Sequence, residues 1–231
     1  VTGWWGGHHA DPVVRQAMAL GASQDADELG AALVLVRALD PCVVVEIGCD
    51  RGGTLYAWRQ VCGRVYGITL ADNGYDAGGS GLPLEPHGAV TYIGDSHGSA
   101  ALEWLIDELA VPVAEMSMAE LVATPQVLMQ VTRPCSAREA TVPVDALVLD
   151  GDHSAAGLVA DLAMYGPLVR PGGLILVHDI HSGHDPRVQV HEVWPHLRAA
   201  FDTSEIDFGG PGWGIIHIRA ADRFAEESRD G

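Results

Sequence analysis

Two periodicities alternate along this chain. Short, mostly apolar runs at Val43–Ile47, Arg64–Leu70, Ala89–Ile93, Val144–Leu149 and Leu174–Val177 suit strands buried on both faces of a parallel sheet. Between them the pattern turns helical, predicting helices at Leu55–Val61, Ser99–Leu109, Ala155–Tyr165 and Val190–Phe201. Two further helices are expected ahead of the first strand. One covers Pro12–Leu20. The other covers about Asp25–Leu39, with Asp25 or Ser23 as its cap and Leu29, Leu33 and Val36 on its apolar face. At the far end Thr203–Phe208 and Trp213–Ile218 flank a G-P-G turn and read as a hairpin-like pair of strands. Strands alternating with helices predict an α/β, doubly wound architecture.

Two stretches break the rhythm. Ala71–Gly88 is rich in Gly, Pro and Asp and reads as a long loop, a kind of segment that tends to be functional. Residues 111–143 carry Met116, Met118 and Met129 and a helical stretch near Met118–Val131. They read as an insertion, either a lid or an oligomer contact. The chain thus divides into an N-terminal arm with helices, 1–41, and a main domain, 42–231. The arm opens G-W-W-G-G-H-H, and the paired Trp4 and Trp5 are costly to leave in water. A homo-oligomer, dimer or larger, is expected from the arm and the insertion. His8 and His9 are read as surface residues.

Composition narrows the partners. The 231 residues carry a net charge of −18, with no lysine at all. Such a surface disfavours DNA, RNA, anionic membranes and polyanionic substrates, and it attracts divalent cations. A neutral or cationic small molecule is the easier ligand. No apolar run is long enough to span a bilayer, and no signal-peptide pattern is visible. The four cysteines form neither a C-x-x-C pair nor a zinc spacing. Reduced thiols in a cytoplasmic protein are therefore expected.

The candidate chemistry sits where strands end. Val43–Ile47 runs into Gly48-Cys49-Asp50-Arg51-Gly52-Gly53-Thr54 and then a helix, a β-loop-α unit suited to a nucleotide-like ligand. The dinucleotide fingerprint G-x-G-x-x-G needs a glycine where this chain has Asp50, whose charge repels a pyrophosphate. Farther on, two neighbouring strands end in Asp150, Asp152 and His153, and in His178 and Asp179. Carboxylates gathered in one crevice repel unless protons or a cation intervene, and a divalent metal on Asp150 and Asp179 is the economical answer. Against this, Asp152 and Asp179 are also suited to capping the segments that follow them.

The motif E-I-G-x-x-x-G-G-T resembles motif I of class I S-adenosylmethionine (SAM) methyltransferases. D-G-D-H-S, followed by D-L-x-x-Y-G-P-L-V-R-P-G-G and H-D-I, resembles the metal-dependent O-methyltransferases of macrolide and aminocoumarin pathways, a group with macrocin O-methyltransferase and cephalosporin-hydroxylase relatives. The resemblance runs from about Cys42 to the C-terminus, apart from the insertion. It implies a Rossmann-like methyltransferase fold, whose seven-stranded, mostly parallel sheet has its last strand antiparallel. The cofactors implied are SAM and a divalent cation, Mg²⁺ or Mn²⁺.

Residue by residue, the resemblance has Glu46 support the loop and the methionine ammonium, and has Gly48 and Gly52 give the cofactor room. Strand two ends in Thr69, where the family has an acid for the ribose hydroxyls, and Asp72 is the candidate replacement. Asp95 and Ser96 lie at the adenine edge, with capping of the next helix as the alternative for Asp95. Asp150 borders the cofactor and, with His178 and Asp179, holds the metal. His178 departs from the usual acid; an imidazole suits manganese, iron, nickel or zinc better than magnesium, so either the metal is softer than magnesium or a magnesium site has one protein ligand fewer. His153 or Asp152 is the base. The N-terminal helices cover the cofactor, bringing Gln24 and Glu28 within reach. Trp213 is a candidate for the substrate pocket or the core, and His181 and His184 are read as loop residues.

The function so implied is methyl transfer to a hydroxyl of a small natural product, a sugar or a phenol. Its rivals are a metal-dependent hydrolase or hydroxylase, an NAD(P)-dependent oxidoreductase, and a catalytically silent binding protein.

Overall fold

Val144–Leu149, buried along its whole length, is the central strand of a seven-stranded sheet. The computed structural model describes residues 7–70, 88–109, 144–183 and 185–219, together with the strands at 133–135 and 138–140. In chain order the strands are β1 (Val43–Ile47), β2 (Arg64–Thr69), β3 (Val90–Ile93), β4 (Arg133–Cys135), β5 (Arg138–Ala140), β6 (Val144–Leu149), β7 (Val169–His178), β8 (Thr203–Ile206) and β9 (Trp213–His217). The main sheet has the order β3-β2-β1-β6-β7-β9-β8. Neighbours from β3 to β7 pair in parallel, and β9 runs antiparallel to both β7 and β8. The doubly wound sheet expected from the sequence, its last strand reversed, is therefore present. Strand order reverses between β1 and β6, and at such a switch point the loops leave a crevice beyond the carboxyl ends.

Helices cover both faces. They are α1 (Pro12–Ala19), α2 (Ala26–Ala38), α3 (Gly53–Arg59), α4 (Ser99–Glu108), α5 (Ala155–Tyr165) and α6 (Val190–Ala200). Side chains alternate across a strand, so β1 feeds two cores. Val43, Val45 and Ile47 pack with Leu105 of α4, Tyr165 of α5 and Trp194 of α6. Val44 packs on the other face with Ala17 of α1, Leu29 of α2 and Trp58 of α3. The N-terminal helices thus share the core of the sheet. Their starts are chemically marked. Asp11 accepts from the Val13 amide with Pro12 next in line, and Asp25 accepts from the Asp27 and Glu28 amides.

Opposite the crevice, one buried carboxylate ties three strands together. Asp145 Oδ2 accepts from the amides of Cys42 and Val43 at 2.7 and 2.9 Å, and its Oδ1 meets Arg170 Nε at 2.5 Å.

Two expectations need correction, and one alternative is excluded. The fifth long strand begins at Val169, not Leu174: the R-P-G-G stretch is taken into β7 through a register shift between Val144 and Ala146. Gly172, at φ +80°, makes this irregular entry into the ladder possible. Cys42 is disulfide-bonded rather than reduced, whereas Cys49 and Cys62 are free. Cysteine spacing carries no sign of this, because a cross-link depends on geometry set by the fold. Asp95 does not cap α4, whose cap position is Gly98. Of the expected insertion, the described part is the antiparallel pair β4–β5; the helix expected at Met118–Val131 lies outside the described residues, as do Trp4, Trp5, Asp72 and His184. No helix among the described residues is long and apolar enough to cross a membrane.

Candidate active site

A cavity of about 740 Å³ opens at the carboxyl ends of β1, β2, β3, β6 and β7. That volume lies within the ~300–1,000 Å³ usual for small-molecule sites. The loop after β1 forms one wall. Gly48 sits at φ +87°, and a Cβ there would run into the carbonyl of Asp150 and the Cα of Gly151. Its side chain is missing chiefly so that two loops can touch. Gly52, at φ +77°, occupies the cap position of α3. Gly53 lets the backbone of Ala17 and Ala22 approach. Cys49 is buried, and burial pushes its thiol well above the ordinary value, which makes it a poor nucleophile.

Glu46 shares the face of β1 that carries Val44, and it has no exposed surface. Its Oε2 accepts from the Thr54 hydroxyl at 2.9 Å. Burial raises its pKa to about 8. Asp50, by contrast, lines the cavity and holds a left-handed φ of +38°. Thr69 lines it too, and its buried Oγ1 has no hydrogen-bond partner among the described residues. An orphaned hydroxyl on a cavity wall is what a ligand with its own polar groups, such as a ribose, would satisfy.

After β3, Asp95 accepts from the His97 amide at 2.9 Å, closing a short turn. The Ser96 carbonyl accepts from the Tyr165 hydroxyl at 2.6 Å, which anchors this loop to α5. Asp95 and Ser96 both line the cavity.

The loops after β6 and β7 bring the ionisable groups together. Asp150 Oδ1 lies 2.9 Å from His178 Nδ1, and its Oδ2 accepts from Gln24 Nε2 at 2.5 Å. His153 Nδ1 lies 2.6 Å from Asp179 Oδ2, while Asp179 Oδ1 accepts from the Ser182 hydroxyl at 2.6 Å. Asp179 holds φ +66°, a conformation in which a non-glycine residue is uncommon. The hydrogen bond to Asp179 raises the pKa of His153. Burial pulls on Asp179 in the opposite sense, but its bonds to His153 and Ser182 prevail and hold it below the ordinary carboxylate range. Burial likewise opposes charge on His178, yet the neighbouring carboxylates, Asp150 foremost, leave its pKa raised. Asp152 accepts from the Ser154 amide at 2.9 Å, and that bond lowers its pKa. A carboxylate so held is a weaker base than the nearby imidazole.

Donor atoms of Asp150, His153 and Asp179 all lie within 4.8 Å of one another, a group able to hold a cation. The trio differs from the expected one by having His153 where His178 was placed. His178 is buried against the Trp213 ring at 4.4 Å between centroids. Trp213 itself belongs to the core.

Of the residues expected near the site, Gln24 reaches it. Glu28 instead accepts from the amides of Phe208 and Gly212, at 3.4 and 3.0 Å, and pins the turn before β9. Ser23, Asp185, Arg187 and Val188 line the cavity without any earlier sign in the sequence. They reach it by loop packing, which hydrophobic periodicity does not encode.

No curated protein matches the sequence. Solved structures resemble the fold, among them the three that follow. An O-methyltransferase from Bacillus cereus, in complex with SAH (S-adenosylhomocysteine), is 15% identical over 90% of this chain and 91% of its own, with a TM-score of 0.52. A Klebsiella pneumoniae protein provisionally named an O-methyltransferase is 15% identical over 91% of both chains, with a TM-score of 0.55. The mycinamycin-pathway methyltransferase MycE, in complex with Mg and SAH, is 14% identical over 90% of this chain and 55% of its own, with a TM-score of 0.55. This chain spans about half the length of MycE. At such identities the likeness is one of fold. The family described as a methyltransferase domain matches residues 45–180, from inside β1 to just past β7, which is more than half of the chain. The chain therefore belongs to the methyltransferase-domain family.

Proposed function

We propose that this methyltransferase moves the methyl group of SAM to a hydroxyl of a small natural product, with a divalent cation at the Asp150–Asp179 edge of the cavity. The observation that carries the reading is the meeting of the His153–Asp179 pair and Asp150 on the same cavity wall as the glycine loop. MycE and the Bacillus cereus enzyme, both holding SAH, and the Mg of MycE support it by analogy.

His153 has two nitrogens to spend. Nδ1 faces Asp179, and Nε2 lies 4.0 Å from Asp150 Oδ1. One imidazole atom cannot both hold a cation and remove a proton. We assign His153 the proton and leave the cation to the carboxylates of Asp150 and Asp179, an oxygen set that magnesium accepts. A cation there supplies a Lewis acid that lowers the pKa of a nearby hydroxyl. Asp179 fixes the His153 ring and favours the imidazolium that forms. Gln24 and His178 hold Asp150 from both sides. Thr69, Asp95 and Ser96 receive the nucleoside half of the cofactor. The acidic surface suits a neutral or cationic acceptor, a sugar or phenol hydroxyl.

The test is a thermal-shift series on metal-stripped protein with SAH, NAD or NADP, each with and without Mg²⁺ or Mn²⁺. It is followed by methyl transfer to a panel of hydroxylated acceptors. SAH and metal should each raise the melting temperature, and EDTA should stop turnover. A shift with NAD or NADP but none with SAH, or turnover indifferent to EDTA, overturns the reading.

A further inference from the structure

We infer that Asp50, and not Glu46, is the carboxylate that receives the ammonium of the cofactor's amino-acid end, while Glu46 braces the loop from inside the core. The inference rests on SAM being the ligand of this cavity and adds which side chain meets its charged tail.

The two acids lie four residues apart on the same β-loop-α unit and in opposite surroundings. Glu46 is the second residue after Val44 and so shares its face of the sheet, the one that packs on α1–α3; it has no exposed surface and spends Oε2 on the Thr54 hydroxyl of α3. Reaching a ligand would mean leaving the core. Ionising it where it stands is costly, in keeping with its raised pKa of about 8. A neutral carboxyl that ties the strand end to the helix start is a brace for the turn between them.

Asp50 is built the other way. It lines the cavity that Gly48 and Asp150 also line. Its φ of +38° is one that glycine adopts freely and that other residues adopt at a cost, Asp among the more tolerant. In a loop with three glycines already, a strained carboxylate on the wall is the exception that a cationic ligand group explains. Position agrees with this. The loop touches the Asp150–Gly151 backbone through Gly48, two residues before Asp50, whereas Thr69 and Asp95 line the cavity from the ends of β2 and β3.

The experiment is calorimetric titration of wild-type protein, Asp50→Asn and Glu46→Gln. The ligands are SAH and its deaminated analogue, in which hydrogen replaces the amine. Wild type should prefer SAH by roughly ten- to a hundredfold, the worth of a charge-assisted contact. Asp50→Asn should bind both ligands alike, with the analogue bound as by wild type. Glu46→Gln, an isostere of the neutral acid, should keep the preference. An undiminished preference in Asp50→Asn overturns the inference, as does its loss in Glu46→Gln with a native circular dichroism spectrum. Wild type that binds neither ligand sinks the SAM reading itself, a different and separately visible failure.

Discussion

His153 Nδ1 stands 2.6 Å from Asp179 Oδ2, a contact between the loop that follows β6 and the one that follows β7. It orients the imidazole and sets its proton affinity, because the carboxylate stabilises the charged ring. We predict that Asp179→Asn returns the His153 pKa toward the ordinary histidine value. In the wild type the pair contributes stability in full below that ordinary value, and the contribution fades as pH rises through the raised one. NMR titration of His153 in metal-free protein is the check. An unchanged midpoint in the variant refutes the assignment. Turnover in the variant should fall by about 10²-fold or more, on the scale of lost general-base catalysis.

Gln24 donates to Asp150 from the turn between α1 and α2. Partners that orient a metal-binding carboxylate are worth roughly 10–100-fold in affinity. Gln24→Ala should weaken Mn²⁺ binding by about that factor and leave the melting temperature of the metal-free protein nearly unchanged. Manganese titration followed by electron paramagnetic resonance would show it; equal affinities would mean the contact is incidental.

Glu46 has an ordinary pKa of 4.5 when unfolded and about 8 when folded. Between these values the folded protein keeps a proton that the unfolded chain has released. Stability must therefore fall as pH climbs through this window, at up to about 1.4 kcal/mol per unit. Glu46→Gln cannot ionise. Its melting temperature should decline less steeply from pH 5 to 8 and exceed that of the wild type at pH 9. Parallel curves for the two proteins would show that Glu46 does not carry this load.

Asp145 has no part in the chemistry proposed here. Asp145→Ala strands two buried amides and the Arg170 guanidinium, a loss on the order of 3–5 kcal/mol. Denaturant melts should show a drop of that size, and whatever protein remains folded should bind SAH with wild-type affinity. Weakened SAH binding by the folded fraction would link the strand starts to the site and refute their independence.

Where hydrophobic patterning decides structure, the sequence was legible. Val43–Ile47 and Val144–Leu149 could be read with their true limits, because a doubly buried strand leaves few polar choices. Asp25 marked a helix start through local bonds that span only two or three residues, whereas the helix at Ala155 is capped by Ser154 and not by Asp152, the capping alternative read from the sequence. Side-chain roles set by distant partners were not legible. His178 is expected from the sequence as a metal ligand; that its Nδ1 meets Asp150 and its ring packs at a tilt against Trp213 across the β7–β9 pairing is not announced by anything near it in the chain. Glu28 looked bound for the site until the turn before β9 supplied two amides to hold it. The Pro171-Gly172-Gly173 stretch reads as a turn because nothing local announces its irregular pairing with β6.

The polar anchors of the α1–α2 segment have a consequence for the timing of assembly. Gln24 finds Asp150 at a separation of 126 residues, and Glu28 finds Gly212 at 184. On a ribosome the two helices emerge before Asp150 and Gly212, so both must wait for partners made much later. Loop closure over such spans is slow and comes after local structure has formed. The Asp150 edge of the cavity thus waits on long-range closure, and a nascent chain halted before Gly212 lacks one of the two clasps that hold α1 and α2 in place.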